Sequence, residues 1–233
     1  MAHRREVSRV EGFSDAVFAF AITLLVVSLE VPKTYHELMA AVRGFPAFAV
    51  CFAALFQVWW RHYRFFRTYD LEDTYVIVLT GILLFVVLFY VYPLKFLWSM
   101  VFSSVEERRI TDEIITSAQV PTLFVIYGAG VIAVFSILAL LHRHAYRLRD
   151  RLELSDEAAL DTRERISSNV GVASVGAMSI AVAIVCRLFA PNMIGLAGYT
   201  YTLIAVIEWR VGAHYERMRR TLRTANTVDT LPV

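Results

Sequence analysis

The chain has 233 residues, of which 58% are hydrophobic and only 19% charged, and its formal net charge is +2 at pH 7. A soluble domain of this size carries more charge, so the composition excludes an ordinary soluble globular protein. The small net charge says little by itself; a nucleic-acid partner would need a basic face, and membrane topology already accounts for the clustered arginines, so no such partner is expected. Cys51 and Cys186 both fall in apolar runs, where a thiol behaves as a small hydrophobe, so neither a disulfide nor a metal site is expected.

Six apolar runs follow one another along the chain, and each is close to the ~20 residues needed to cross a bilayer. They cover residues 13–31, 38–60, 74–98, 119–141, 167–189 and 193–213. Because the connections are short, the sequence predicts an all-α polytopic membrane protein. We expect a single domain of six transmembrane helices at residues 1–220 and a disordered tail at 221–233. Most of the 23 lysines and arginines fall on the side that holds the N-terminus, which predicts cytoplasmic termini.

The first apolar run begins with charge and then has none. Arg9 and Asp15 bracket the start of the helix, and charge at the mouth of a membrane span is costly, so it usually reports function or a fixed pairing. Three polar side chains are expected at the membrane depth of Asp15, namely Arg9, His62 and Asn169. They predict a network that clamps the first helix to its neighbours, because an unpaired buried carboxylate is expensive. His62 can equally be an interfacial residue beside two tryptophans.

An apolar stripe runs along the same helix. At 100° per residue Phe20, Leu24 and Val27 share one stripe, which Phe13 extends inward, while Asp15 points in another direction. One interpretation makes the stripe part of the bundle core and leaves Asp15 as a charge that favours the helix N-terminus. The other gives the stripe a role in transport.

Small residues spaced three and four apart at 167–178 predict a helix–helix packing surface in the fifth run. No phosphate-binding glycine loop, nucleophile elbow or pair of catalytic carboxylates is present in the sequence, so we expect neither an enzyme nor a cofactor. His142 and His144 lack the acidic or cysteine neighbours that a metal site requires.

The start of the chain resembles the transmembrane protein 175 family of potassium channels. The resemblance lies in Arg9-x-x-x-Phe13-Ser14-Asp15, followed by Ala21–Leu25 and Glu30–Pro32, and it is supported by Trp59-x-x-His62 and Pro93. It covers about the first hundred residues and rests on hydropathy thereafter.

The resemblance implies a homotetramer in a bacterial inner membrane, with K+ as the permeant ion and a central pore lined by the first helix. It implies an apolar constriction at Phe20, Leu24 and Val27, with the hydroxyl of Thr23 beside it. It also implies an inter-helix network, whose members are Arg9, Phe13, Ser14, Asp15 and His62, with Asn169 as a further candidate. Two positions depart from the family pattern: relatives usually have Ile or Leu where this chain has Phe20, and often Asn where it has Thr80.

Three functions are compatible with these features. The first is a potassium-permeable cation channel. The second is a secondary transporter or proton pathway that uses Asp15 and His62 as carriers, although midplane polar groups and an inverted repeat are not evident in the sequence. The third is a membrane assembly protein without transport. Cation flux would favour the channel, and saturable uptake that Asp15→Asn abolishes would favour the transporter. The oligomeric mass tests the channel further, because a monomer would contradict a pore built from several copies.

Overall fold

The computed structural model describes residues 7–27, 32–102, 119–190 and 193–229, and it describes residues 27 and 225–229 by their backbone alone. The side chain of Val27, the motif residues 30–31 and the end of the expected tail at 230–233 lie outside the described residues. Six long helices account for most of the described chain. They are α1 (Arg9–Val27), α2 (Tyr35–Tyr69), α3 (Thr74–Phe102), α4 (Val120–Arg147), α5 (Asp156–Phe189) and α6 (Leu203–Asp229). Two short turns, at Leu196–Tyr199 and Thr200–Thr202, precede α6.

Local sequence accounts for where the two longest helices begin. The hydroxyl of Thr34 accepts the backbone N–H of Glu37 at the start of α2, and Ser155 accepts that of Ala158 at the start of α5. The left-handed backbone of Asp70, with φ of 50°, ends α2 and begins the short turn into α3.

Four helices, α2 to α5, are long and apolar enough to cross a membrane by length and composition. They confirm the membrane-spanning helices that the sequence predicts at 38–60, 74–98, 119–141 and 167–189. The first run corresponds to α1, whose described part ends at Val27, and the last corresponds to the two short turns and the first part of α6.

The chain divides into two compact units, residues 1–130 and 131–233. In the first unit α1 packs against both α2 and α3. The α2–α3 pair is an antiparallel hairpin, in which the Cys51 thiol donates to the carbonyl of Leu94 at 3.6 Å. Both helices turn apolar stripes inward, and Cys51, Phe65, Val76 and Leu83 are fully buried.

The start of α4 belongs to the first unit and lies close to α3. The Tyr90 hydroxyl donates to the carbonyl of Tyr127 at 2.7 Å. A Cβ atom at Gly130 would lie 2.0 Å from the Tyr90 ring, so only glycine allows this approach.

In the second unit α5 and α6 pack side by side. A Cβ atom at Gly171 would lie 2.5 Å from the Cγ2 methyl of Ile207, which confirms the predicted small-residue packing surface on α5 at this position.

Beyond the apolar part of this pair, ion pairs connect the two helices. Arg219 donates to Asp161 at 2.8 Å and to Glu216 at 3.0 Å, and it also pairs with Glu164. Burial disfavours the charged guanidinium, yet the hydrogen bonds to Asp161 and Glu216 raise the pKa of Arg219 above its usual value. Arg223 pairs in the same way with Glu157.

These ion pairs explain one difference from the sequence expectation. Residues 221–229 continue helix α6, where the composition had suggested a tail that begins at 221. Arg223, the one arginine of this segment, pairs with Glu157 on α5, and the polar composition of the segment does not reveal that partner.

We predict that Gly130→Ala destabilises the protein, because the added methyl must displace a tyrosine ring that a hydrogen bond holds in place. The expected cost is about 1–3 kcal/mol in the free energy of unfolding, the range for an overpacked core. Thermal unfolding of the purified protein in mild detergent measures it. Gly81→Ala on α3 is the matched control, since its Cβ atom meets nothing within 4 Å and alanine favours a helix. Equal stability of the two variants would contradict the packing argument.

Candidate functional site

Helix α1 has one face inside the first unit and one face outside it. The buried face consists of Glu11, Ser14, Phe18, Ala21 and Leu25, spaced alternately three and four residues apart. The opposite face is exposed along most of the helix. The rotation of α1 about its axis is therefore well defined within the unit.

The carboxylate of Asp15 is anchored by α2. Its Oδ1 accepts a hydrogen bond from the indole Nε1 of Trp59 at 2.7 Å. A charged acceptor makes such a bond stronger than one between neutral groups. Next to it, the Ser14 hydroxyl donates to the carbonyl of Val10 within α1. The sequence had suggested Arg9 as the partner of Asp15, but the structure pairs Asp15 with a neutral donor and leaves Arg9 exposed.

His62 lies in the core of the first unit. It is 1% exposed, and its ring lies 5.8 Å from that of Phe18 and 4.9 Å from that of Phe66, measured between centroids. Its membrane depth, and with it the alternative of a residue at the interface beside two tryptophans, stays a prediction. His62 is a buried polar group behind α1, as the network interpretation requires.

Asn169 belongs to the second unit, where it is 1% exposed on α5. Its membership of a network with Asp15 stays a prediction. Its neighbour Ser168 donates to the carboxylate of Glu208 on α6 at 2.8 Å.

The exposed face of α1 carries most of the predicted pore residues. Phe13 is 64% exposed and Phe20 is 55% exposed, and Thr23 lies on the same face. Phe13 was predicted both in the stripe and in the network; it is exposed on the same side of α1 as Phe20, and both roles stay predictions. Leu24 is half-buried and lies at the edge of this face. Compared with the predicted stripe, the exposed face is therefore rotated about the axis of α1, away from Leu24 and toward Thr23.

The hydroxyl of Thr23 donates to the carbonyl of Ala19, four residues earlier, at 2.9 Å. This is the local bond that a helical threonine commonly makes. Its oxygen retains lone pairs that can accept a hydrogen bond or contact a cation on the exposed side of α1.

Trp59 is the residue of this site that sequence reasoning did not assign. The sequence could have pointed to Trp59 through its position three residues before His62, because residues three apart lie on the same side of a helix, about one turn from each other. A neutral N–H donor gives no signal in charge patterning. Within the described ranges, no group of three histidine, cysteine or acidic side chains could hold a metal ion.

Fold and site together define a class: a polytopic helical membrane protein whose first helix is anchored on one face and exposed on the other. The sequence profile of the family described as "Endosomal/lysosomal potassium channel TMEM175" matches residues 9–90. A curated potassium channel of Marivirga tractuosa is 36% identical over 210 residues, which cover 87% of this chain and 85% of that protein. The chain belongs to the TMEM175 family.

Solved structures agree with this assignment. The crystal structure of a variant of the potassium channel MtTMEM175, in complex with a nanobody–MBP fusion protein, matches with a TM-score of 0.77 and 33% identity. The match covers 93% of this chain and 96% of that one. A TMEM175 homologue from Chamaesiphon minutus, at 22% identity and a TM-score of 0.58 over 87% of this chain and 96% of its own, shares the fold.

We predict that Trp59→Phe destabilises the protein by about 1–3 kcal/mol, because Asp15 loses its donor while the aromatic ring is kept. Thermal unfolding and the retention of the oligomer in size-exclusion chromatography measure the effect. Trp60→Phe is the matched control, since the neighbouring tryptophan is 45% exposed. Asp15→Asn should cost less than Asp15→Ala, because the amide oxygen can still accept from Trp59. If Trp59→Phe and Trp60→Phe behave alike, the anchor has no energetic role.

Proposed function

We propose that this chain is a subunit of a potassium-permeable channel whose pore is lined by α1 from several copies, four in a homotetramer. The observation that carries the proposal is the division of α1 into an anchored face and an exposed face that includes Phe20. A family of curated potassium channels, to which the chain belongs, supports K+ as the permeant ion.

A pore lined by α1 requires several copies of the chain, because each chain contributes only one such helix. One chain offers a single exposed stripe on α1, and one helix cannot surround a pore. Identical copies related by closed rotational symmetry would supply the remaining wall. The excess of Lys and Arg on the side of the N-terminus supports an orientation with both termini in the cytoplasm. The bacterial origin of the potassium channels that the chain resembles supports a bacterial inner membrane.

Permeation would then depend on whether water fills the constriction that the apolar side chains of the four copies form around the pore. Four Phe20 rings would form the narrowest point, because phenylalanine is the bulkiest of Phe20, Leu24 and Val27 and lies deepest toward the inner side. Hydrophobic constrictions control ion flow by excluding water. Thr23, less than one turn beyond Phe20, would offer the nearest side-chain oxygen to a partly dehydrated ion. The buried side chains behind α1, with Asp15 on its anchored flank, would keep this ring in place.

Potassium flux into liposomes that contain the purified protein tests the proposal, with sodium and N-methylglucamine as comparison ions. Flux of potassium above that of N-methylglucamine is expected. The mass of the particle in mild detergent tests the assembly separately, and we expect four chains. A monomer, or an absence of flux for every cation, would contradict the channel. Saturable uptake coupled to a second solute would favour a transporter instead.

We predict that Phe20→Ala raises the potassium current and lowers the discrimination between potassium and sodium, because removing the ring from each copy widens the constriction and lowers its dewetting barrier. Single-channel recording in planar bilayers measures both quantities. Phe85→Ala is the matched control, since Phe85 is 72% exposed on α3 and no pore role is assigned to it. An unchanged current in Phe20→Ala would mean that α1 presents another face to the pore.

We predict that Thr23→Val lowers the permeability ratio of potassium to sodium while assembly stays intact. Valine keeps the shape of threonine and removes only the oxygen. The lost bond to Ala19 is local to the helix, so little change in stability is expected. Reversal potentials under bi-ionic conditions measure the ratio. An unaltered ratio would leave Thr23 as a residue that only packs.

A further inference from the structure

Three buried polar atoms of the first unit have no hydrogen-bond partner among the described residues: Nε2 of His62 on α2, Oγ1 of Thr80 on α3 and the hydroxyl oxygen of Tyr127 on α4. Two of them, on His62 and Thr80, lie in the α2–α3 hairpin. The two side chains are 1% and 0% exposed. Buried polar atoms in folded proteins are nearly always hydrogen-bonded, so each of these two calls for an explanation.

Thr80 stands apart from other helical threonines of this chain. Thr23, Thr68 and Thr162 each donate to the carbonyl four residues earlier, at 2.7–2.9 Å. This local bond is also open in principle to Thr80, which lies inside α3. The hydroxyl of Thr80 does not make it, and instead lies in the buried interior of the unit.

The antiparallel hairpin brings His62 and Thr80 to similar depth. The contact between Cys51 and Leu94 fixes the register of α2 against α3. Counting from this contact forward along α2 to His62, and the same number of residues back along α3, places residue 83 opposite His62. Thr80 is three residues, or about 4.5 Å along the axis, from that point. Both residues belong to the buried stripes of their helices.

We propose that one internal water molecule bridges His62 Nε2 and Thr80 Oγ1 and so connects α2 to α3 directly behind α1. A buried water is stable where it finds two or more polar partners. The hydroxyl of Thr80 and the ring nitrogen of His62 can each donate or accept, depending on the rotamer and the tautomer, so one water satisfies both. The buried hydroxyl of Ser14, whose own proton goes to Val10, offers a further acceptor on α1.

The bridge has a consequence for α1. Phe18, on the buried face of α1, contacts the His62 ring. A water that fixes this ring relative to α3 therefore fixes part of the surface on which α1 rests. The inference is independent of channel activity, and it is tested on the assembled protein without a flux measurement.

The first test is a double-mutant cycle on the thermal unfolding of the purified oligomer in detergent. Thr80→Val removes the hydroxyl at constant shape, and His62→Phe removes the ring nitrogens. Each is expected to lower the unfolding midpoint, and the double variant is expected to lose less than the sum, because either change alone removes the bridge. Additive losses would overturn the proposal.

Two further variants keep the test decisive if His62→Phe does not fold. Thr80→Ser retains the hydroxyl and should unfold closer to the wild type than Thr80→Val does. Thr162→Val, at a buried threonine whose hydroxyl bonds to Ala158, measures the cost of removing a hydroxyl that makes the ordinary local bond. Thr80→Val should lose more than Thr162→Val, and an equal or smaller loss would count against the bridge.

The second test is direct. A crystal or cryo-EM map that resolves buried waters should contain a peak within hydrogen-bond distance of both atoms in the wild type, and the peak should be missing in Thr80→Val. A map that resolves other buried waters but none here, or that shows the same peak in Thr80→Val, would overturn the proposal.

Discussion

The carboxylate of Asp15 is the constraint on which the first unit depends. A charge at the start of an apolar helix is tolerated only when a partner compensates for the water it has lost. The indole of Trp59 supplies that partner at 2.7 Å. Because the bond joins a fixed position on α1 to a fixed position on α2, it sets the rotation of α1 and places Phe18 inward and Phe20 outward.

The anchor is continued along α2 by aromatic contacts. The Trp59 ring stacks on that of Tyr63 at 5.3 Å between centroids, and the guanidinium of Arg67 lies 5.9 Å from the Tyr63 ring. The distance from Tyr63 to Arg67 falls within the range of a cation–π contact. Trp59, the donor to Asp15, is thus held by a column of side chains that ends at Arg67 in the last turn of α2. This column ties the position of α1 to the polar end of the α2–α3 hairpin.

Hydropathy was enough to predict the helices, because each long apolar run must satisfy its backbone within a membrane. The angular argument correctly separated Asp15 from Phe20, since it depends only on the pitch of the helix. It could not say which direction faces the neighbouring helices, and Leu24 was therefore assigned to the open face although it lies at its flank. Charge patterning favoured Arg9 as the partner of Asp15 and missed Trp59, because a neutral donor on another helix has no charge to detect. The orphan atom of Thr80 depends on one rotamer, which no sequence pattern encodes.

An exposed phenylalanine on a membrane helix does not by itself indicate a pore, because lipid tails solvate it as well as a protein core does. Phe85 and Phe89 on α3 are 72% and 67% exposed, although α3 is also held in position, since the Tyr90 hydroxyl donates to the carbonyl of Tyr127. What distinguishes α1 is that a charged side chain, Asp15, takes part in fixing its rotation. The proposed ring of Phe20 side chains would close only if each copy presented the same face of α1 to the axis. The half-buried Asp15, held by Trp59, would serve such a ring because it helps to keep Phe20 on the exposed side of α1.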